Sequence, residues 1–265
     1  MIPALSRLRL GAQGIALAAL LWACFQITAR AQDSYEIQVY GSETIAPGKT
    51  MLELHSNFTV DGEQRVLDGV LPSHHSLHET FEITHGFSDW FETGFYIFTS
   101  VQPGKGWEWV GSHIRPRARI PENWHWPVGV SLSTELGFQR RSFSGDTWTW
   151  ELRPIIDKQI GRWYVALNPT FGKSIHGRNS NQGFEFSPSA KLSYELTPKI
   201  SPGVEYYGGL GRVTRRDNFG EQQQQIFPVI DLNFSPDWEF NFGVGIGLNH
   251  STDHLLLKMI VGRRF

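Results

Sequence analysis

Ionisable side chains recur at every second position in several segments of this 265-residue sequence. The densest row is His113, Arg115, Arg117 and Arg119, and glutamates hold equivalent places in other segments. Arginines that face carboxylates across a narrow passage set up a transverse field, which orients and filters polar solutes. If the chain encloses a lumen, we predict a constriction with a positive rail and an acidic counter-rail. Its residues are Glu92, His113, Arg115, Arg117, Arg119, Glu135, Glu151 and Arg153.

Other residues that could carry chemistry occur without a fixed geometry. His74, His75 and His78 form an HHxxH pattern, but they lie in an irregular stretch, and metal sites need fixed ligand positions. Ser112 and His85 could serve a hydrolase, yet no third residue completes a triad with them. We therefore predict no metal site, no cofactor and no catalytic residue. The net charge of −2 gives no reason to expect nucleic acid as a partner.

The first 31 residues have the features of a secretory signal peptide. Two arginines precede an apolar run at 11–25, and Ala29-Arg30-Ala31 offers a small-x-small cleavage site. The only cysteine, Cys24, lies within this leader. We therefore predict an exported protein whose mature chain has no disulfide.

The rest of the chain alternates between apolar and polar positions. In WEFNFGVGIGLN, from Trp238 to Asn249, the even positions are apolar and the odd ones are polar or glycine. A period of two indicates a β-strand with one apolar face. Such segments run to about ten residues, the length that a tilted strand needs to cross a bilayer. Twelve segments fit, at 50–60, 79–87, 91–101, 107–120, 127–139, 146–157, 162–172, 184–196, 199–210, 223–234, 237–248 and 253–265.

These segments predict an all-β fold, a transmembrane antiparallel up-and-down β-barrel of about twelve strands at 50–265. A periplasmic segment at 32–49 precedes it, and for residues 33–42 a short segment that pairs with the sheet is the alternative. The connections alternate between long ones, such as 61–78, and tight ones, such as Ser235-Pro236, as expected for outer loops and periplasmic turns. Aromatic residues gather at the strand ends, as in the girdles of membrane barrels. The turn at 121–126 predicts that Arg117 lies beside Ser131 on the next strand.

The chain ends on Phe265, which closes an alternating strand. This ending resembles the assembly signal of Gram-negative outer-membrane barrels. The long strands and tight turns resemble the uncharacterised porin-like or transporter-like barrels linked to phenol-degradation pathways. The resemblance implies a place in the cell outer membrane. It also implies contact with outer-membrane lipid, with the barrel assembly machinery and with a small-molecule solute.

A barrel of twelve strands lies between filled eight-stranded barrels and water-filled sixteen-stranded porins. Its function therefore remains open among three classes. The first is a channel or transporter for small polar or aromatic solutes, with a charged lumen. The second is a closed structural barrel whose charges pair with one another, or one that binds ligands or cells through its loop at 61–78. The third is a lipid-modifying barrel enzyme.

Overall fold

A computed structural model describes residues 35–265 of the chain. The predicted signal peptide at 1–31, with Cys24, lies outside the described residues. One 3-10 helix, Glu122–Trp124, is present in the described part, and no helix there is long and apolar enough to cross a membrane. The strands are β1 (Thr50–Asp61), β2 (Leu77–Ser88), β3 (Phe91–Gln102), β4 (Gly106–Arg119), β5 (Gly129–Gln139), β6 (Asp146–Ile160), β7 (Trp163–Gly177), β8 (Glu185–Tyr194), β9 (Ile200–Gly209), β10 (Gly211–Arg212), β11 (Arg215–Arg216), β12 (Gln223–Leu232), β13 (Trp238–Gly247) and β14 (Leu255–Arg264).

Twelve long strands close into a barrel. Each pairs with its neighbour in sequence, β9 pairs with β12, and β1 pairs with β14, so no long strand is left with a free edge. The two-residue strands β10 and β11 form a small hairpin in the connection between β9 and β12, beside β8. The predicted barrel of twelve antiparallel strands is therefore confirmed. The β10–β11 hairpin was not among the predicted strands.

The outer surface of the barrel is an apolar belt. In β14, Leu256 is fully buried while the adjacent Leu257 is 45% exposed, because successive side chains of a strand point to opposite faces. Exposed aromatic side chains mark the two ends of the belt. Trp90, Trp124, Trp126, Trp163, Phe234 and Trp238 lie at the inner end, and Trp107, Trp148 and Phe184 at the outer end. Such girdles are typical of outer-membrane barrels, and the protein is a barrel of this class.

The register between β4 and β5 differs from the predicted one by two residues. Arg117 lies opposite Ser133, and Arg119 lies opposite Ser131. The turn is longer and less symmetrical than the sequence suggested, because the 3-10 helix at Glu122–Trp124 is followed by further irregular residues up to Gly129. The prediction that Arg117 pairs with Ser131 is wrong for this reason.

Residues 35–46, which we call the lumen segment, begin inside the barrel, where 35–42 are buried or half-buried, and end at its inner mouth, where Glu43 and Ala46 are exposed. Tyr35 is packed near the outer ends of β1 and β2, where its carbonyl accepts a hydrogen bond from Thr80. The segment then descends to the inner mouth, where Gly48 donates to the carbonyl of Gly86 and the chain turns into β1. The prediction of a periplasmic segment at 32–49 is therefore wrong for residues 35–42, because the barrel interior buries residues such as Ile37. For residues 43–49 it stays a prediction.

Candidate functional site

The lumen segment is held by polar side chains of the barrel wall. Its backbone does not join the sheet, so its peptide groups need other partners. Asn168 of β7 binds both peptide groups of Tyr40, accepting from its N–H at 2.7 Å and donating to its carbonyl at 2.9 Å. Ile45 donates its N–H to a carboxylate oxygen of Glu92 at 2.6 Å. The wall thus supplies side chains where a sheet would supply a neighbouring strand.

An apolar patch inside the lumen receives two side chains of the segment. Ile37 and Val39 pack in one cluster with wall residues that include Phe227 and Leu256. Burying one isoleucine and one valine contributes about 3–6 kcal/mol. A water-filled pore has a polar lining. The apolar wall positions beside Ile37 and Val39 therefore indicate that the barrel interior is built to hold this segment.

Arg115 lies at the centre of the charged wall and is 2% exposed. It forms ion pairs with Glu82 on β2 and, at 3.6 Å, with Glu92 on β3, and it donates a hydrogen bond to the hydroxyl of Tyr96. Its guanidinium also lies 4.7 Å from the centre of the Tyr40 ring. Arg115 therefore connects three wall strands to the lumen segment.

Arg117 and Arg153 bind the lumen segment directly. Arg117 pairs with Glu92 at 2.7 Å and donates to the carbonyls of Gly41 and Glu43. Arg153 pairs with Glu36 of the segment at 2.9 Å. The predicted arginine rail does not face its acidic partners across an open passage. It binds glutamates of neighbouring strands and backbone carbonyls of the segment.

The remaining predicted residues divide into two groups. His113 pairs with Glu135 inside the barrel, and Glu151 pairs with Arg153 at 2.7 Å. Arg119 instead pairs with Glu122 of the inner turn, which is 82% exposed. Seven of the eight predicted residues therefore share the lumen, whereas Arg119 lies at its inner mouth. Their role as a constriction stays a prediction.

A second charged group lies on the other side of the lumen. Lys258 donates to Glu205 and, at 3.0 Å, to the carbonyl of Ile37. Lys191 pairs with Asp231 at 2.8 Å and with Glu205 at 3.3 Å. The predicted set did not include these four residues, although they occupy the inward rows of their strands. A lysine in the otherwise uncharged stretch from Leu255 to Gly262 was the available signal.

The packed interior leaves no room for water beside its central side chains. Tyr96, Phe98 and Phe227 face inward, and at most 1% of each is exposed, although all three would line an open passage. In the described conformation the lumen segment and the wall together close the barrel.

The residues considered for a hydrolase do not form a catalytic group. His85 lies on β2 and Ser112 on β4, with β3 between them. The Nδ1 atom of His85 is within hydrogen-bonding distance of the Thr50 hydroxyl, at 2.9 Å. A triad needs its serine and histidine within hydrogen-bonding reach of each other, and His85 and Ser112 lie on strands that are not neighbours.

Solved structures with a similar fold are outer-membrane channels and porins. A COG4313 outer membrane channel from Pseudomonas putida F1 aligns with a TM-score of 0.58 at 12% identity, over 87% of this chain and all of its own. The KdgM porin aligns at 0.52 and 10% identity, over 81% of this chain and 99% of its own. The NanC porin aligns with a TM-score of 0.52 at 8% identity, over 80% of this chain and 97% of its own. No curated protein sequence matches this chain.

A sequence family covers more than half of the chain. Its model matches residues 99–256, from the end of β3 into β14. The match includes Arg115, Arg117 and Arg153. It also includes Lys191, Glu205 and Asp231 of the second charged group and ends two residues before Lys258. The described barrel and its charged interior are thus mostly made by the matched region, and the chain belongs to the family described as "Putative MetA-pathway of phenol degradation".

Proposed function

We propose that the protein is an outer-membrane channel for small polar or aromatic solutes, and that the lumen segment closes it in the described conformation. The observation that carries the proposal is the way the interior is filled. A segment that does not join the sheet occupies the space between the charged wall groups, so a passage opens if this segment moves and the barrel stays intact. The likeness of the fold to three channels and porins supports the same function.

The proposal that the solutes are aromatic rests on the contacts of Tyr40. Its phenol ring lies close to two guanidinium groups, with its centre 4.7 Å from that of Arg115 and 4.9 Å from that of Arg153. Cations over the face of an aromatic ring are attracted by its quadrupole, more strongly where water is excluded. When the segment moves away, the two arginines are free to bind the ring of a small phenol or aromatic acid in its place. The family description, which names phenol degradation, agrees with this solute class.

A reversible cross-link tests whether the lumen segment closes a channel. A Cβ built on Gly129 of β5 lies 2.2 Å from the Oγ of Ser42, so cysteines at these two positions are close enough for a disulfide. The mature chain offers no competing thiol if the leader with Cys24 is removed. We expect the Ser42→Cys/Gly129→Cys variant to be silent in a planar bilayer when oxidised and to conduct in discrete steps after reduction.

The two single-cysteine variants are the matched controls, and they should conduct equally with and without reductant. A variant that lacks residues 32–46 should conduct continuously. If the reduced, oxidised and shortened proteins are all silent while they remain heat-modifiable barrels, the channel function is wrong. A closed structural barrel is then the better interpretation.

The solute class needs a separate measurement. Proteoliposomes with the reduced cross-link variant should swell faster in 4-hydroxybenzoate, whose carboxylate keeps it from crossing lipid, than in a sugar acid of similar size, since two arginines bind an aromatic ring better than an aliphatic one. The Arg153→Gln variant should reduce this preference. Equal swelling rates in the aromatic solute and the sugar acid would reject the aromatic class and leave the channel function in place.

A further inference from the structure

Two glutamates lie directly opposite each other on the lumen face of the first hairpin. Glu53 of β1 is the cross-strand partner of Glu82 of β2, and both are at most 5% exposed. Like charges in directly opposed positions destabilise a sheet, and burial increases the cost because water no longer screens them. Arg115 pairs with Glu82 and offsets one of the two charges, so a second cation or a shared proton is needed beside Glu53.

His55 adds a nitrogen donor to the same face. It follows Glu53 by two positions on β1 and is fully buried, and its Nε2 lies 3.3 Å from Oε2 of Glu82. One ligand atom from each of Glu53, His55 and Glu82 can be chosen so that all three lie within 4.8 Å of one another. Ligands around a four-coordinate zinc ion are about 3.5 Å apart, as follows from bond lengths of about 2.1 Å. Small side-chain rotations would bring the three atoms onto one ion.

The donor atoms at this position have no other hydrogen-bond partners. Nδ1 of His55 has no hydrogen-bond partner, and Nε2 of His55 and Oε2 of Glu82 face only each other, at 3.3 Å and without hydrogen-bond geometry. Arg115 and Thr84 both bind the other oxygen, Oε1, so Oε2 stays free for a ligand bond. Glu53 forms no ion pair among residues 35–265. Buried polar atoms are normally hydrogen-bonded, so the unsatisfied atoms of His55 and Glu82 next to the Glu53 carboxylate indicate a missing ligand.

The surrounding charges also favour a bound cation. The three guanidinium groups on this side of the lumen belong to Arg115, Arg117 and Arg153. They face six carboxylates, which belong to Glu36, Glu53, Glu82, Glu92, Glu135 and Glu151. The excess of negative charge is concentrated at Glu53, because the other five glutamates each have an arginine or histidine partner.

We propose that Glu53, His55 and Glu82 bind a divalent transition-metal ion of the zinc class. Imidazole nitrogen favours zinc and its neighbours in the first transition row, whereas calcium takes six to eight oxygen ligands. The ion bridges β1 and β2 on the lumen face and neutralises the opposed carboxylates. The proposal goes beyond the channel function and does not depend on it.

Calorimetric titration of the EDTA-treated, refolded mature protein with zinc tests the proposal. We expect one ion per chain for the wild type. His55→Asn and, separately, Glu53→Gln should weaken binding at least about 100-fold, since loss of even an outer partner of a ligand costs 10- to 100-fold. The matched control is the double variant His74→Asn/His75→Asn, which removes two histidines of the outer loop and should bind as the wild type does.

Cobalt absorption spectra and X-ray absorption of the wild type give a second measurement that needs no variant. The expected first shell has one imidazole and otherwise oxygen. The proposal is overturned if the wild type binds no zinc, if His55→Asn binds as tightly as the wild type, or if binding is lost in the loop variant. A first shell with two or more imidazoles would also overturn it, because the site contains only one histidine.

Discussion

Replacing Arg115 with methionine should destabilise the barrel more than any comparable change on the same strand. Among residues 35–265, Arg115 is the only arginine that pairs with Glu82, which is fully buried. The other acidic partner, Glu92, keeps its ion pair with Arg117 at 2.7 Å. The Arg115→Met variant therefore leaves one buried carboxylate without a positively charged arginine, while methionine conserves much of the side-chain volume.

The size of the effect follows from the burial of both partners. Removing one member of a buried ion pair typically costs about 3–5 kcal/mol, because the remaining charge is left uncompensated. Arg119, four residues further along β4, has the same side-chain type but pairs with the exposed Glu122. Exposed pairs contribute about 0–1 kcal/mol, so Arg119→Met should cost no more than that.

Urea unfolding of the barrels in lipid vesicles, followed by tryptophan fluorescence, measures both free energies. The buffer should contain EDTA, so that a metal ion at Glu82 does not replace the missing charge. A lower midpoint with an unchanged slope indicates a loss of stability alone. The double variant Arg115→Met/Glu82→Gln should recover at least about half of the loss, because the unpaired charge is gone. If Arg115→Met and Arg119→Met cost the same, the reasoning from buried charge is refuted.

Three further predictions concern the passage and assembly. Gly86→Ala should raise the open probability in planar bilayers, since its methyl group would lie 2.2 Å from the carbonyl oxygen of Ile45 and push the lumen segment away. The control Gly172→Ala should leave the open probability unchanged, because its methyl group meets nothing within 4 Å. Arg117→Ala should shift the reversal potential in a salt gradient toward cation selectivity, because it removes a positive charge from the lumen; unchanged selectivity in an open pore would count against the arginine rail. Deleting Phe265 should lower the amount of heat-modifiable barrel in cells but not refolding in detergent, and equal amounts in cells would exclude it as an assembly signal.

The barrel itself was predictable because each strand carries its pattern locally. The alternation in WEFNFGVGIGLN corresponds to the observed strand β13, and the predicted span 50–60 corresponds to Thr50–Asp61. Turns were less predictable. The connection from β4 to β5 contains a 3-10 helix, which sequence spacing does not reveal, and the register of Arg117 was therefore off by two residues.

The lumen segment was not predicted, since its partners are far away in sequence. Asn168 and Lys258 bind it from 128 and 221 positions away along the chain. One local signal was present, because Tyr35, Ile37 and Val39 alternate with polar residues as in a short strand. That pattern alone does not distinguish a strand of the sheet from an extended segment inside it.

The presence of both charge signs in the lumen follows from the needs of this segment. An extended chain outside a sheet has unpaired N–H and carbonyl groups, and each is costly if buried without a partner. Cationic side chains can bind only the carbonyls, as Lys258 does at Ile37. Carboxylates can bind only the N–H groups, as Asp157 does at Ser42. Charges of one sign could bind only one of these two kinds of group and would leave the other to neutral side chains such as Asn168. The mixed charges of the wall therefore match a polypeptide occupant as well as they match a solute.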